Sequence, residues 1–347
     1  MTLELTGLSV SYGGFDFGPV DLTVGQEVLA VLGPSGSGKT TLLSSISGIT
    51  TPDTGSIVLD GRSLSGVPLE ERRLGMVFQD GALFPHMTAR ENIAYAGADA
   101  ERVTELAAML ELRSVLDRHP DSLSGGECQR VALARTLAAD PDAVLLDEPL
   151  SSLDAPIRRR LRDELHRLFD SLAIPVVYVT HDQRTATALG DRLAIVRDGG
   201  IEQVGSPSTV LDRPANRFVA RFTGNENLFD GRVTEQTTDG ARVRIGDRTL
   251  RTTVPDPPGG AVTACVHPSR VRLDDDAGSD TDGAENVLRG TVSRWLNEGS
   301  AYRVEVEDGS LTVTATVRPP VFERLAIDTA SRLRVSFPPE AVHLLGD

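Results

Sequence analysis

The run Gly33-Pro34-Ser35-Gly36-Ser37-Gly38-Lys39-Thr40, directly after the apolar stretch Val28 to Leu32, constrains this chain more than any other feature. It fits G-x-x-x-x-G-K-[ST] in a strand, loop, helix setting, the pattern of a loop that cradles phosphate. Glycines let backbone N–H groups curl round a phosphate, and the helix that follows offers its N-terminus. The lysine adds a compact charge and the threonine hydroxyl can ligate a metal. Lys39 is the only lysine among 35 basic residues. A chain that otherwise uses arginine for every cation keeps an ammonium here, where a guanidinium would substitute poorly. In this context a chance Gly-rich turn is a poor alternative.

Around that loop the first part of the chain reads as α/β. From residue 1 to about 222, short apolar runs (Val28 to Leu32, Gly75 to Phe78, Val144 to Leu146, Val176 to Val179, Leu193 to Val196) alternate with helix-like segments. The alternation breaks between about 80 and 140, where Glu101 to Leu112 and Gly126 to Ala138 have helical periodicity, so a helical insert is expected. After Arg221 the texture changes to short alternating strands punctuated by Gly, Pro and Asp, a separate β domain over 223–347. It carries an internal repeat. Asn227-Leu-Phe-Asp-Gly231-Arg-Val233 echoes Asn286-Val-Leu-Arg-Gly290-Thr-Val292, and Val266-His-Pro-Ser-Arg-Val271 echoes Phe337-Pro-Pro-Glu-Ala-Val342. Two small β lobes are expected, joined by the acidic run 274–283, which has no apolar anchor and reads as a linker.

Two domains suit a length of 347 residues. No stretch approaches the roughly 20 apolar residues needed to cross a bilayer, so membrane work would need other subunits. The N-terminus MTLELTGLSV has neither a basic flank nor a continuous apolar core. It does not read as a signal peptide, and the chain is expected in the cytoplasm. Cys128 and Cys265 are too few and too far apart for a disulfide framework or a metal cage. The balance of 35 basic against 50 acidic residues, −15 in all, offers no basic stripe for phosphates and argues against nucleic-acid binding. Such an acid-rich, lysine-poor surface resembles proteins of salt-loving cells, whose counterions screen self-repulsion, and it predicts a melting temperature that rises with KCl.

Val144-Leu-Leu-Asp147-Glu148-Pro149 is an apolar strand ending in adjacent carboxylates. Alternation along a strand would aim them differently, one at a metal shell and the other at an attacking water. With the phosphate loop alone, this would fit kinases, GTPases or helicases equally. Leu123-Ser124-Gly125-Gly126-Glu127, at a helix start before the carboxylate strand, narrows the choice: it is a second helix N-terminus with glycine amides.

These residues together resemble the ABC ATPase family, and the resemblance covers the whole chain. It implies an ATP-hydrolysing transporter subunit that uses ATP and Mg²⁺. The implied architecture is an α/β P-loop ATPase domain with a helical insert, followed by an all-β domain of two OB-like lobes. The implied nucleotide contacts are Tyr12, Gly33, Pro34, Ser35, Gly36, Ser37, Gly38, Lys39, Thr40 and Thr41, with Phe15 competing with Tyr12 for the adenine ring. Gln79, after Gly75 to Phe78, matches the Q-loop glutamine; with Thr40 and Asp147 it would hold Mg²⁺, and with Glu148 and His181 it makes up the catalytic set. Ser124, Gly125 and Gly126 would touch ATP held by the opposite subunit, as would Asp154 of the D-loop Ser151-Ser-Leu-Asp154. The family usually has Gln where Glu127 stands. Asp182, Arg130 and Arg158 to Arg160 carry no assigned chemistry, and a solvated helix face is expected for that arginine run.

The tail is similar to the paired OB-like (TOBE) lobes behind importer ATPases for oxyanions, polyamines, sugars and iron. Glu71-Arg-Arg-Leu-Gly-Met-Val-Phe-Gln-Asp80, Ala82-Leu-Phe-Pro-His86 and Glu91-Asn-Ile-Ala-Tyr95 look most like molybdate or tungstate importers, with sulfate importers close behind. The second lobe, Asn286 to Leu345, resembles molybdate-binding domains, whose oxyanion positions read Arg318, Val321 and Pro338 here; a dimer-supporting tail is the other reading. The partners implied are hydrophobic permease subunits, an external solute-binding protein and a second copy of the chain, at the cytoplasmic face of the plasma membrane. Sulfate, polyamine, iron or sugar import is the alternative. Soluble ABC ATPases of translation or DNA repair resemble tandem cassettes or carry coiled-coil or zinc inserts, whereas this chain has one cassette and no heptad run. A stand-alone oxyanion store would leave the ATPase motifs unexplained.

Overall fold

Three short runs, Val28–Leu32, Ala143–Asp147 and Val176–Thr180, are buried along nearly all their length on both faces. Only a largely parallel sheet covered on both sides permits that. The structure, a computed structural model, describes all residues except 80, 152, 256, 258, 277–285, 329–331 and 347. It divides into two compact units, Met1–Pro207 and Ser208–Asp347.

In chain order the first unit contains β1 (Leu3–Tyr12), β2 (Phe15–Val24), β3 (Val28–Leu32), α1 (Lys39–Ser47), β4 (Thr54–Leu59), β5 (Arg62–Ser63), β6 (Leu74–Val77) and α2 (Ala89–Ala94). It continues through α3 (Ala100–Met109), α4 (Gly125–Ala138), β7 (Ala143–Asp147), α5 (Ala155–Ser171), β8 (Val176–Thr180), α6 (Gln183–Leu189), β9 (Arg192–Arg197) and β10 (Gly200–Gly205). The central six-stranded sheet has the order β10-β9-β3-β8-β7-β6, parallel except for the β9–β10 hairpin. Because side chains alternate along a strand, its two faces carry different cores. Leu29, Val31, Leu145, Val177 and Val179 join α1 and the four-stranded sheet β2-β1-β4-β5. Val144, Leu146, Val176 and Tyr178 join α3, α4 and α5. The phosphate-loop helix α1 and the signature helix α4 therefore lie on opposite faces of one sheet.

In the second unit α7 (Pro207–Asp212), which spans the division, and α8 (Arg217–Phe222) precede β11 (Asn227–Thr237), β12 (Gly240–Ile245), β13 (Arg248–Thr252), β14 (Ala261–Val266) and β15 (Arg272–Asp275). Then come β16 (Asn286–Asn297), β17 (Tyr302–Asp308), β18 (Leu311–Val317), α9 (Pro319–Arg324), β19 (Leu333–Phe337) and β20 (Val342–Gly346). Sequence texture puts the domain change at 222/223, whereas contacts divide the chain at 207/208. Side chains explain the difference: Asp212 pairs with Arg270, Arg217 with Asp230, and the Pro214 carbonyl meets the His343 ring at 3.1 Å.

The internal repeat has a structural counterpart. The two sheets run β13-β12-β11-β14-β20 and β15-β19-β16-β17-β18, so β15 leaves the first half to pair with β19 and β20 leaves the second to pair with β14. The echoed Asn227 and Asn286 head equivalent strands and each bridges to the other sheet. Asn227 bonds both the N–H and the carbonyl of Thr314, and Asn286 does the same to Arg251. One apolar core runs through both sheets. The second lobe is thus not the contiguous piece Asn286 to Leu345, because a period-2 pattern does not say which sheet a strand joins. The acidic run also differs from a simple linker at its start: Asp274 and Asp275 belong to β15, and Asp274 and Asp276 form ion pairs with Arg324 and Arg289. Residues 277–283 lie outside the described residues.

Candidate functional site

The cradle begins where β3 runs out of apolar residues. Gly38 has φ 103°, a left-handed value that glycine adopts freely, and a Cβ there would lie 2.6 Å from Phe17 Cδ2. Helix α1 starts with no side-chain cap and no acidic residue in its first turn, so its leading N–H groups lack the usual partners. The Ser37 hydroxyl is buried with no hydrogen-bond partner. Lys39, 7% exposed, donates from Nζ to the Gly33 and Pro34 carbonyls at 2.9 Å each. Burial lowers its pKa, opposed by the Glu148 and Asp147 carboxylates. Pro34, Ser35, Gly36 and Thr40 are exposed at the rim and Thr41 is half-buried. An uncapped helix start beside a buried lysine is chemistry suited to an anion. Tyr12 is exposed with its hydroxyl 3.1 Å from Thr50 Oγ1, while Phe15 Cζ would lie 3.2 Å from a Cβ on Gly38. Both aromatic candidates therefore stand near α1.

Asp147 closes β7, and Thr40 Oγ1 donates to its Oδ2 at 3.3 Å. Burial raises the Asp147 pKa; the Thr40 hydrogen bond acts the other way. Glu148 turns off the strand with φ 47°, its N–H on the Val179 carbonyl at 3.0 Å, and its Oε2 lies 2.7 Å from His181 Nδ1. Strand alternation is therefore not what separates the two carboxylates. A left-handed residue re-aims the second one, a costly conformation of the kind that gathers at reactive sites. Ser151 fastens this turn, donating to the Glu148 carbonyl from N–H at 3.1 Å and from Oγ at 2.9 Å.

Ser124 caps α4 in a reciprocal box with Glu127, whose Oε2 takes both the Ser124 N–H and its hydroxyl at 2.7 Å. These bonds hold the Glu127 carboxyl below the usual range. The signature glycines lie against the D-loop side: Cβ atoms on Gly125 and Gly126 would come within 3.5 Å of Leu153 and 3.1 Å of Ile157. Among the described residues no hydrogen bond of Ser124–Gly126 reaches Gly33–Thr41. Asp154 heads α5, exposed, with no capping bond from its side chain; Ser152 and Asp80 lie outside the described residues. Gln79 is exposed, and its carbonyl accepts from Gln129 Nε2 at 2.6 Å. The predicted residues therefore fall into two groups, one around the cradle with Asp147, Glu148 and His181, the other around Ser124 and the D-loop, while Gln79 stands outside both, tied by its carbonyl to Gln129.

Several residues escaped sequence reasoning. Gln129 and Arg135 of α4 bind carbonyls of the Q-loop, Arg135 reaching Ala82 at 2.9 Å and Gly81 at 3.2 Å. Nothing local signals such long-range bonds. Asp182 caps α6 by accepting from Arg184 N–H at 3.0 Å, a role legible from its place before a helix. The arginine run is not a plain solvated face either, because the D-loop and a buried glutamate lie within its reach. Arg158 Nη2 donates to the Leu153 carbonyl at 2.7 Å, Arg160 Nε meets Glu164 at 3.0 Å, and Arg130 approaches the same Glu164 at 3.6 Å.

The fold and this site define an ATPase of the ATP-binding cassette type. Residues 18–151 match the ABC transporter family and residues 264–345 the TOBE domain. The chain belongs to the ATP-binding subunits of ABC importers, with a TOBE domain behind the ATPase. It is 42% identical to the sulfate/thiosulfate import ATP-binding protein CysA of Methylococcus capsulatus, over 94% of this chain and 95% of that one. It is 39% identical to the spermidine/putrescine import ATP-binding protein PotA of Aliivibrio fischeri, over 87% and 85%. A dimeric post-hydrolysis structure of the ATP-binding cassette MJ0796, bound to ADP and Pi, aligns with TM-score 0.53 and 31% identity over 59% of this chain and 98% of that one. The molybdate or tungstate emphasis of the sequence reading is not what these relatives carry; their names point to sulfate and polyamines.

Proposed function

We propose that this chain energises uptake of a sulfate-class oxyanion, working as a pair of copies bound to permease subunits at the cytoplasmic face of the membrane and served by an external solute-binding protein. The near full-length likeness to a sulfate/thiosulfate importer subunit carries the choice of solute. Polyamine import is the second reading, favoured by the 39% identity to a spermidine/putrescine subunit. Molybdate and tungstate are tetrahedral dianions like sulfate and belong in the same test.

The cradle suits ATP in its unpartnered donors, and its Thr40 and Asp147 oxygens, 3.3 Å apart, suit Mg²⁺, which keeps waters and takes few protein ligands. When bound, Mg²⁺ would offset charge on the phosphate oxygens. Lys39 would leave the Gly33 and Pro34 carbonyls for phosphate. Gln79 would complete the metal shell, and Tyr12 or Phe15 would carry the adenine. Glu148, aligned by His181, would take the proton of the attacking water. Ser124, Gly125, Gly126 and Asp154 of the opposing copy would close over the nucleotide. In reconstituted vesicles, ATP hydrolysis should rise with sulfate-loaded binding protein. Stimulation by spermidine alone would move the assignment to polyamines, and stimulation by molybdate or tungstate alone would restore the narrower oxyanion reading.

A further inference from the structure

Tyr178 is fully buried on β8, three residues before His181, and pairs in register with Leu146, two before Glu148. Its ring packs edge-on against Phe169 of α5, centroids 6.5 Å apart, yet its hydroxyl has no hydrogen-bond partner. Burial raises its pKa, so the phenol stays protonated; the charges acting on it are those of Asp182, Glu148 and Arg158. Arg158 has a matching defect: Nη2 holds the Leu153 carbonyl of the D-loop, while Nε is buried without an acceptor. A buried polar group left unbonded costs more than a made bond returns, and native proteins seldom keep one without a use. Here a donor and a potential acceptor stand unused on the two elements that flank the catalytic turn.

We propose that Tyr178 is a positioning residue for hydrolysis: in the closed two-copy state its hydroxyl accepts from Arg158 Nε–H, tying the strand that leads to His181 to the helix behind the D-loop. The bond would set the Glu148–His181 pair only when the D-loop has shifted against the opposing copy. The inference rests on Glu148 being the base, so Glu148→Gln is measured alongside it.

In the full-length chain, Tyr178→Phe removes an unsatisfied hydroxyl from the nucleotide-free protein and should raise its melting temperature by roughly 2–4 °C. The same variant should lower kcat by about two- to tenfold, one hydrogen bond's worth, with KM for ATP unchanged. Arg158→Lys, which keeps the charge and can still reach the Leu153 carbonyl but lacks Nε–H, should lower kcat similarly. The double variant should be no slower than the worse single one. Unchanged turnover in Tyr178→Phe, multiplying losses in the double variant, or a fall in melting temperature would each overturn the proposal. Normal hydrolysis by Glu148→Gln would instead remove the reading beneath it.

Discussion

The chain has two glycine-rich helix starts, and they are capped in opposite ways. At α1 no side chain caps the first turn, Ser37 Oγ has no partner and Lys39 folds back onto carbonyls. At α4 the Ser124 hydroxyl and N–H are already held by the Glu127 carboxylate. The first start presents an uncapped first turn beside a lysine; at the second the two Ser124 donors already face a carboxylate of the same helix. On the reading proposed above, the first would hold nucleotide in a single copy. If the second closes over nucleotide of an opposing copy, as proposed, the Ser124 hydroxyl would exchange Glu127 for phosphate, and closure should be the more adjustable step.

The largest effect should come from changing Glu148, proposed above as the base. Glu148→Gln keeps shape but not proton affinity, so hydrolysis should slow by roughly 10²- to 10⁴-fold. ATP should then stay clamped between both helix starts, and light scattering with ATP in high salt should find a dimer. A normal rate, or a monomer with bound ATP, would break the picture of two starts on one nucleotide. Next comes Lys39→Ala, which disables only the open start. Loss of a charged hydrogen bond to phosphate should weaken ATP binding by about 10- to 100-fold and abolish the dimer. Undiminished dimerisation would show that the satisfied start suffices.

The smallest effect sharpens the comparison most. Glu127→Gln preserves the capping box without its charge, so ATP-driven dimerisation should tighten by about two- to fivefold, the worth of one charge at a helix end. A weaker dimer would mean that the carboxylate assists closure. Ser124 depresses the folded pKa of Glu127, so the carboxylate's contribution to stability is complete above the ordinary glutamate value and is lost as pH falls through the folded one. Below that window the wild type and Glu127→Gln should melt alike, and above it the wild type should be the more stable.

Motifs carried by local letters were readable. The phosphate loop, the strand Val28–Leu32 and the repeat headed by Asn227 and Asn286 each follow from spacing, periodicity or echo. What escaped depends on residues distant in sequence. The Glu148 turn is left-handed because its N–H reaches Val179 and Ser151 holds its carbonyl, and nothing in Asp-Glu-Pro forecasts that. The Ser124-x-x-Glu127 spacing is a capping signature, which the reading of this segment as a glycine-rich helix start passed over. Gln129 and Arg135 look like ordinary polar helix residues until their carbonyl partners around Gln79 are seen.

The traded strands β15 and β20 bear on inheritance as much as on stability. A tail whose two halves trade their last strands cannot lose one half and keep both sheets complete. Cutting the gene near codon 276 would leave each product with a bare sheet edge where the other's strand had lain, and bare edges recruit strands from neighbouring molecules. The tail should therefore pass between lineages whole or not at all.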